Sequence, residues 1–497
     1  MGILKRIIFG LISGLFINSL ICAQDFGFGF SDGDNASSGN SAINNSLSVS
    51  IGGEVSAAIV GYFDEMSEAA ENNSAKYINT RDMFMFSGKL NFRAQSSFAE
   101  GVINLKLVPA LVPVSIDEAY IRAFFGGLDF SAGLRKITWG KADQFGPLDV
   151  INMLDSTKIF IEMADNNNLN GVKLSTPVIH GSFRFGQFSK IEGIVLPSFE
   201  IVSMAVSSVL EGSNEYLALV TGPVSERWIP KQMNKFFENG KLVTPFVAAE
   251  TNTLDYAQAG LRFTTTIGSA DIGLQYFYGR MFQPAVKFNL TKIPLPTGGE
   301  SPYVTMEFLH NKYHQIGLDY AQVLAGFNIR AEVAGNITED LKGDDGLIYN
   351  PSIGWSFGFD RDLFLGINLN LQANGSVQLF NDKIGDSNEP FTSISMGGFD
   401  IPNDYNPNYD IEAGTSITAT RLTGMISRKF IRDELELRAA VVWGIEDEDC
   451  AIIPALIWTK DDLRVALSGG FFLGKTEGQL GQYKDNNFLK VSVAYLF

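Results

Sequence analysis

The chain has 497 residues, a formal charge of −17 from 38 basic and 55 acidic side chains, 50 glycines and 12% aromatics. Its apolar content excludes a disordered chain, and its acidic balance excludes a nucleic-acid binder, which needs clustered Lys and Arg. Two cysteines exclude a disulfide scaffold or a cysteine-ligated cluster, and three histidines leave little for a zinc site.

The first predicted element is a targeting segment. Lys5 and Arg6 precede an almost wholly apolar run from Ile7 to Ile21. That run is shorter than the ~20 residues of a membrane helix and fits the core of a secretory signal peptide over 1–23. Cleavage after Ala23 leaves Gln24 as the mature start and Cys450 as the remaining cysteine, so no internal disulfide can form. The alternative is lipidation at Cys22, where Leu20-Ile21-Cys22 is a loose lipobox with a bulky residue before the cysteine. Residues 24–46, rich in Gly, Asn and Ser, read as a flexible arm.

From residue 47 to 497 period-two segments follow one another. Gln258, Gly260, Arg262 and Thr264 alternate with Ala257, Ala259, Leu261 and Phe263. Asn328, Arg330 and Glu332 alternate with Ile329, Ala331 and Val333. Ser352, Gly354, Ser356 and Gly358 alternate with Ile353, Trp355, Phe357 and Phe359, and Asn368, Asn370, Gln372 and Asn374 with Leu369, Leu371 and Ala373. Period two places each set on opposite faces of a sheet. The segments exceed the ~5–6 residues of soluble strands and suit membrane strands of ~9–11. Aromatics near segment ends (Tyr62 and Phe63, Phe124 and Phe125, Tyr276 to Tyr278, Phe471 and Phe472) suggest girdles at lipid headgroups.

Short turns are expected near Ser96–Glu100, Gly126–Gly127, Thr176–Gly181, Gly268–Ser269, Val323–Leu324, Arg361–Asp362, Ile431–Asp433 and Lys460–Asp461. They alternate with longer polar stretches at 64–80, 108–115, 138–168, 197–253, 282–302, 338–350, 381–410, 445–449 and 475–486. This pattern predicts an all-β, antiparallel up-and-down transmembrane β-barrel of about 18 strands (16–20). The last segment ends with Val491, Val493, Tyr495 and Phe497 on one face, like the terminal signal read by the outer-membrane assembly machinery.

One irregular stretch stands out, from Trp139 to Asp155. Pro147 suits a first helical position and Asp149 the positive first turn. A short helix is therefore expected on a loop that folds over the rim or into the lumen, because its ends cannot sit in lipid. The run W-G-x-x-D-x-x-x-x-x-D-x-x-N-x-x-D resembles one in a large, poorly characterised family of porin-like outer-membrane barrels. Gly317-Leu-Asp319-Tyr, Arg330-Ala-Glu332 and Gly358-Phe-Asp360-Arg361 resemble later strands of that family. The resemblance covers about 128–176 and 254–376; it implies a barrel and a channel-type role, with no catalytic residue and no known substrate.

Trp139, Asp143, Asp149, Asn152 and Asp155 are thus candidates for a constriction loop. Alternatively Asp149 only stabilises a helix start while Asn152 and Asp155 tie the loop to the wall; a calcium site from the same carboxylates is a third reading, without the spacing of a known calcium loop. Arg262, Asp271, Asp319, Arg330, Glu332, Glu434, Glu436, Arg438 and Arg464 fall on polar strand faces and would line a lumen. There they either tune solute preference or pair across strands.

No nucleophile motif, P-loop or dinucleotide fingerprint accompanies His180, His310 and His314, so no enzyme, cofactor or metal is expected. Two functions remain. One is an outer-membrane channel for passive passage of small solutes, favoured by small polar lumen residues; the partners are then outer-membrane lipid, the assembly machinery and the solutes. The other is a barrel-anchored surface protein whose loops 197–253 and 381–410 bind a partner or matrix. The sequence does not fix the oligomeric state.

Overall fold

The computed structural model describes residues 47–63, 84–107, 114–155, 159–165, 171–199, 251–282, 284–294, 300–343, 347–380, 418–476 and 478–497, with short pieces at 228, 237–238, 241–242, 246–247, 345, 393–396 and 399–402. The targeting segment 1–23, the arm 24–46 and most of the stretches 197–253 and 381–410 lie outside the described residues.

Eighteen strands form one closed antiparallel sheet. In chain order they are β1 (Ser48–Tyr62), β2 (Phe84–Gln95), β3 (Ala99–Leu107), β4 (Val114–Phe125), β5 (Leu128–Arg135), β6 (Thr176–Phe185), β7 (Ser189–Leu196), β8 (Gln258–Ile267) and β9 (Ala270–Arg280). Then come β10 (Lys312–Leu324), β11 (Phe327–Thr338), β12 (Ser352–Asp362), β13 (Ile367–Gln378), β14 (Thr418–Phe430), β15 (Leu435–Gly444), β16 (Asp449–Lys460), β17 (Leu463–Gly474) and β18 (Phe488–Leu496). Each pairs with its sequence neighbours, and β18 closes the ring on β1, from Tyr62 opposite Phe488 to Glu54 opposite Leu496. Closure removes the unpaired strand edge that a lipid environment cannot tolerate. Outside the ring, Ala285–Pro294 and Glu300–Leu309 form an antiparallel hairpin extended by Phe246–Val247.

The number of connections matches the expectation, eight tight turns alternating with nine others, and seven of the eight turns fall at or near their expected places. One turn is elsewhere than expected. Thr176–Gly181 lies inside β6, and the chain reverses at Gly186–Phe188 instead, where Gly186 takes φ +64°. The alternation of Val178, His180 and Ser182 with Ile179, Gly181 and Phe183 outweighs the turn-like Pro177 and Gly181. The turns near Val323, Arg361 and Lys460 fall one to a few residues later than expected.

The two faces separate as the pattern demands. Leu371 is 38% exposed and its neighbour Gln372 is 4% exposed. Ile353, Phe357, Val333, Leu422 and Ile426 also look outward, while Ser356, Asn370, Arg262 and Glu332 are buried within. Outward aromatics gather at the short-turn end, where Phe98, Phe125, Phe188 and Phe364 are exposed and Phe183, Phe185 and Phe263 stack with centroids 6.2 and 6.1 Å apart. At the other end Phe63 stacks on Phe471 at 6.2 Å. Two residues expected in these girdles, Phe277 and Phe472, instead point inward and are 0% and 1% exposed. Glu434 is not on a strand face but in the turn after β14.

Tyr495 and Phe497 are half-exposed on the outer face. Phe497 exchanges both backbone hydrogen bonds with Gly53, at 2.8 and 3.0 Å, so the last residue is part of the closing seam. Deleting Tyr495 to Phe497 is expected to leave export intact but assembly poor. Heat-modifiable electrophoretic mobility of the membrane fraction is the check, and an unchanged heat-modifiable barrel would remove the assembly role from these residues.

Candidate functional site

The connection from β5 to β6, residues 136–175, does not stay at the rim. Its first half lies along the inner wall of β8 to β13. Glu332, on the inner face of β11, accepts hydrogen bonds from the backbone N–H groups of Lys141 and of Ala142, the latter at 2.7 Å. The backbone comes this close because positions 140 and 146 are glycines; a Cβ at either would run into the Glu332 carboxylate, and Gly140 also takes φ +100°. Asp143 pairs with Arg330, which also holds Asp360 at 2.7 Å, and Asn370 donates to Asp143 at 2.9 Å. Gln372 donates to the carbonyl of Phe145 at 2.7 Å and accepts from the N–H of Gln144 at 3.1 Å.

A row of side chains supports the next turn. Arg262 donates to Gln275 at 3.1 Å, Gln275 to Gln315 at 2.9 Å, Gln315 to Asn336 at 3.0 Å, and Asn336 to Ser352 at 3.1 Å. Gln275 and Gln315 use their second N–H to reach the carbonyls of Leu148 and Pro147, both at 3.0 Å. Each amide is thereby satisfied on both sides, which a buried amide requires. Apolar contacts complete the seat. Trp139 lies over Gly260 among Phe277, Tyr313, Ile194 and Val178, and Leu148 sits over Gly317.

Residues 147–155 form turns rather than the expected helix. Long-range partners take the groups that helical hydrogen bonds would use. Asn152 accepts from the N–H of Ile137 at 2.7 Å and donates to the carbonyls of Arg135 (3.0 Å) and Leu174 (2.8 Å). Asp149 pairs with the buried Lys173 at 2.6 Å, and the N–H of Asp155 donates to Val172 at 2.8 Å. The loop's short helix, α1, is Ile159–Asp165.

That helix meets the opposite wall. Lys490 of β18 reaches Asp165 at 2.8 Å and the carbonyl of Ile161 at 3.1 Å, Ser468 of β17 donates to Asp165, and Arg438 of β15 donates to the carbonyl of Ala164 at 3.3 Å. Phe160, Ile161 and Ala164 pack among Val60, Ile453, Phe472, Phe488, Trp228 and Tyr483, with Phe160 edge-on to Phe472 at 5.0 Å. The connection therefore crosses the barrel, held on β8–β13 by one half and on β15–β18 by the other.

The structure thus brings Trp139, Asp143, Asp149, Asn152 and Asp155 together on one crossing segment, each engaged by wall or loop. Arg262 and Asp319 pair at 2.7 Å, and Arg464 lies 3.7 Å from Glu54. Among the described residues, no three His, Cys, Asp or Glu side chains are arranged to hold a metal ion. Sequence reasoning missed Gln275, Gln315, Gln372, Lys173 and Lys490; their inward period-two positions or nearness to the loop were the available signals. His310 sits at the loop end of the wall, donating from Nδ1 to the carbonyl of Met281 at 2.9 Å and packed on Phe199 at 4.8 Å. Burial pushes its imidazole pKa down to about 4, so it stays neutral near pH 7.

No family model matches the chain. No characterised protein matches it by sequence. Among solved structures, it is similar to OccK11 (OpdR) of Pseudomonas aeruginosa, at 8% identity and TM-score 0.44 over 91% of this chain and 96% of that one. It is similar to OpdL of the same organism, at 9% identity and TM-score 0.46 over 91% and 98%. It is also similar to the outer membrane channel DcaP of Acinetobacter baumannii, at 10% identity and TM-score 0.39 over 91% and 97%. With identities and scores this low, function has to be read from the geometry of this chain itself.

Proposed function

We propose that the chain is an outer-membrane, porin-like channel for passive passage of small solutes, narrowed by the 136–175 loop. One observation carries this: a closed ring of 18 strands, apolar outside and polar within, is crossed by a loop fixed on two opposing stretches of inner wall. An apolar exterior fits a bilayer, and a ring of this strand number encloses far more space than its own side chains fill. The signal peptide over 1–23 delivers the chain to the periplasm, the arm 24–46 precedes the barrel, and the assembly machinery inserts residues 47–497. Membership of the porin-like family suggested by the Trp139-to-Asp155 run belongs to the same reading.

Within it, Asp143, Asp149, Asn152 and Asp155 act as the fastenings of the constriction, and Trp139 as its apolar seat. Arg262, Asp319, Arg330, Glu332 and Arg438 form the wall that receives it, with Arg464 on the lumen wall beyond. The test is single-channel recording of the purified, refolded protein in a planar bilayer. Discrete, long-lived ohmic steps are expected; a heat-modifiable, folded barrel that gives none overturns the channel reading.

A further inference from the structure

Six charged side chains form one continuous row around part of the inner wall, from β17 across β1 to β4 and ending at the first residue of the loop. It begins with Arg464 on β17, 3.7 Å from Glu54 on β1. Glu54 stands directly opposite Lys89 on β2, and Lys89 directly opposite Lys106 on β3. Lys106 reaches Asp117 on β4 at 2.7 Å, and Asp117 is shared with Lys136, just after β5, also at 2.7 Å. The row therefore holds four cations and two carboxylates, with Glu118 as a third carboxylate at its far end, where it accepts from the N–H of Lys136 at 2.9 Å, so cations are in excess although the chain as a whole is strongly acidic.

Its centre is a pair of like charges. Cross-strand partners on one face of an antiparallel sheet lie ~5 Å apart at Cβ, and like charges there are destabilising. Lys89 has Glu54 opposite it on its other side, a carboxylate that also lies 3.7 Å from Arg464, and Lys106 has only a carboxylate that it shares with Lys136. Lys106 and Asp117 keep 30% and 20% of their side chains exposed, so the row is open to the lumen. Four other lumen cations are consumed: Arg330 by Asp143 and Asp360, Arg262 by Asp319, Lys490 by Asp165, Lys173 by Asp149.

We infer that the Lys89–Lys106 pair, within this row, is an anion site that makes the channel prefer anionic solutes over cations. The inference rests on the channel reading for its transport consequence but not for the site itself. A bound carboxylate or phosphate oxygen would sit between two ammonium groups and relieve their repulsion. Low-dielectric walls strengthen that attraction beyond what the same charges achieve in water.

Two measurements on the full refolded barrel test this, with Lys89→Gln/Lys106→Gln beside the parent and a rim variant, Lys342→Gln, as control. In a KCl gradient the parent is expected to show chloride preferred over potassium, and the double variant to lower that ratio by at least about twofold, as loss of pore-lining charge should. Separately, inorganic phosphate at constant ionic strength is expected to raise the thermal unfolding midpoint of the parent and the control but not of the double variant. Removing a repulsive pair should not impair folding, which heat-modifiable mobility verifies. An unchanged permeability ratio overturns the selectivity, and equal phosphate stabilisation of parent and double variant overturns the site. A parent that does not conduct but is selectively stabilised by phosphate loses the channel reading and the anion preference with it, while the site stands.

Discussion

Joining Lys136 to Thr176 through a short turn, with the loop between them removed, is expected to raise single-channel conductance by at least about twofold, since the lumen of a barrel this size is wide unless filled. The loop spans from the Glu332 carboxylate on β11 to the Lys490 ammonium on β18, and its backbone, Trp139 and Phe160 occupy the section between. The walls themselves continue in register on both sides of the deletion, because β5 and β6 already pair directly from Leu128–Phe183 to Arg135–Thr176. The variant should therefore still form a heat-modifiable barrel, somewhat less stable because Phe277, Phe472 and Phe488 lose their apolar cover. Unchanged conductance in a well-folded variant would show that the crossing segment does not limit flow.

The second large effect is on stability. Leu371→Arg places a charge on the outer face near the middle of β13 and is expected to cost ~2–4 kcal/mol. Asn374→Arg, three residues along on the inner face, should cost less than about 1 kcal/mol, because the guanidinium meets an aqueous lumen. Asn370 is not a fair inner control, since its side chain fastens Asp143. Reversible unfolding in lipid measures both; a larger cost for Asn374→Arg would mean that inner and outer faces are exchanged, and equal costs would mean that the two faces do not divide lipid from water here.

Most of the wall was legible in the sequence because it is written in local pattern. Period two sets the faces of β11 to β13, and the alternation of tight turns with long connections sets the strand number. The failures share a cause. At Pro147 the local signals favour a helix, but the carbonyls of Pro147 and Leu148 are claimed by Gln315 and Gln275. Asp143 and Asp149 look like free carboxylates on a loop, yet Arg330 is 187 residues from Asp143, and only folding shows that they meet. Phe277 and Phe472 sit at strand ends like girdle residues, but a one-residue step along a strand exchanges lipid for lumen. Local pattern fixes which face a residue takes; it does not say what crosses the lumen to meet it.

The sequence separations across the crossing loop have a kinetic consequence. Its first half is fastened by wall residues 127 to 228 positions further on, and its helix by residues 274 to 329 positions further on. Contacts that distant form late, since the chain between them must first be closed into place. Until β8 to β18 have paired, the segment from Trp139 to Asp165 has no complete surface to lie on. The loop is therefore expected to seat in two steps, its first half once β8 to β13 have paired and its helix only when the last strands are in place. The seating of Asp165 on Lys490, a residue of the final strand, needs that strand in place, so the position of the helix depends on the last segment of the chain to be made.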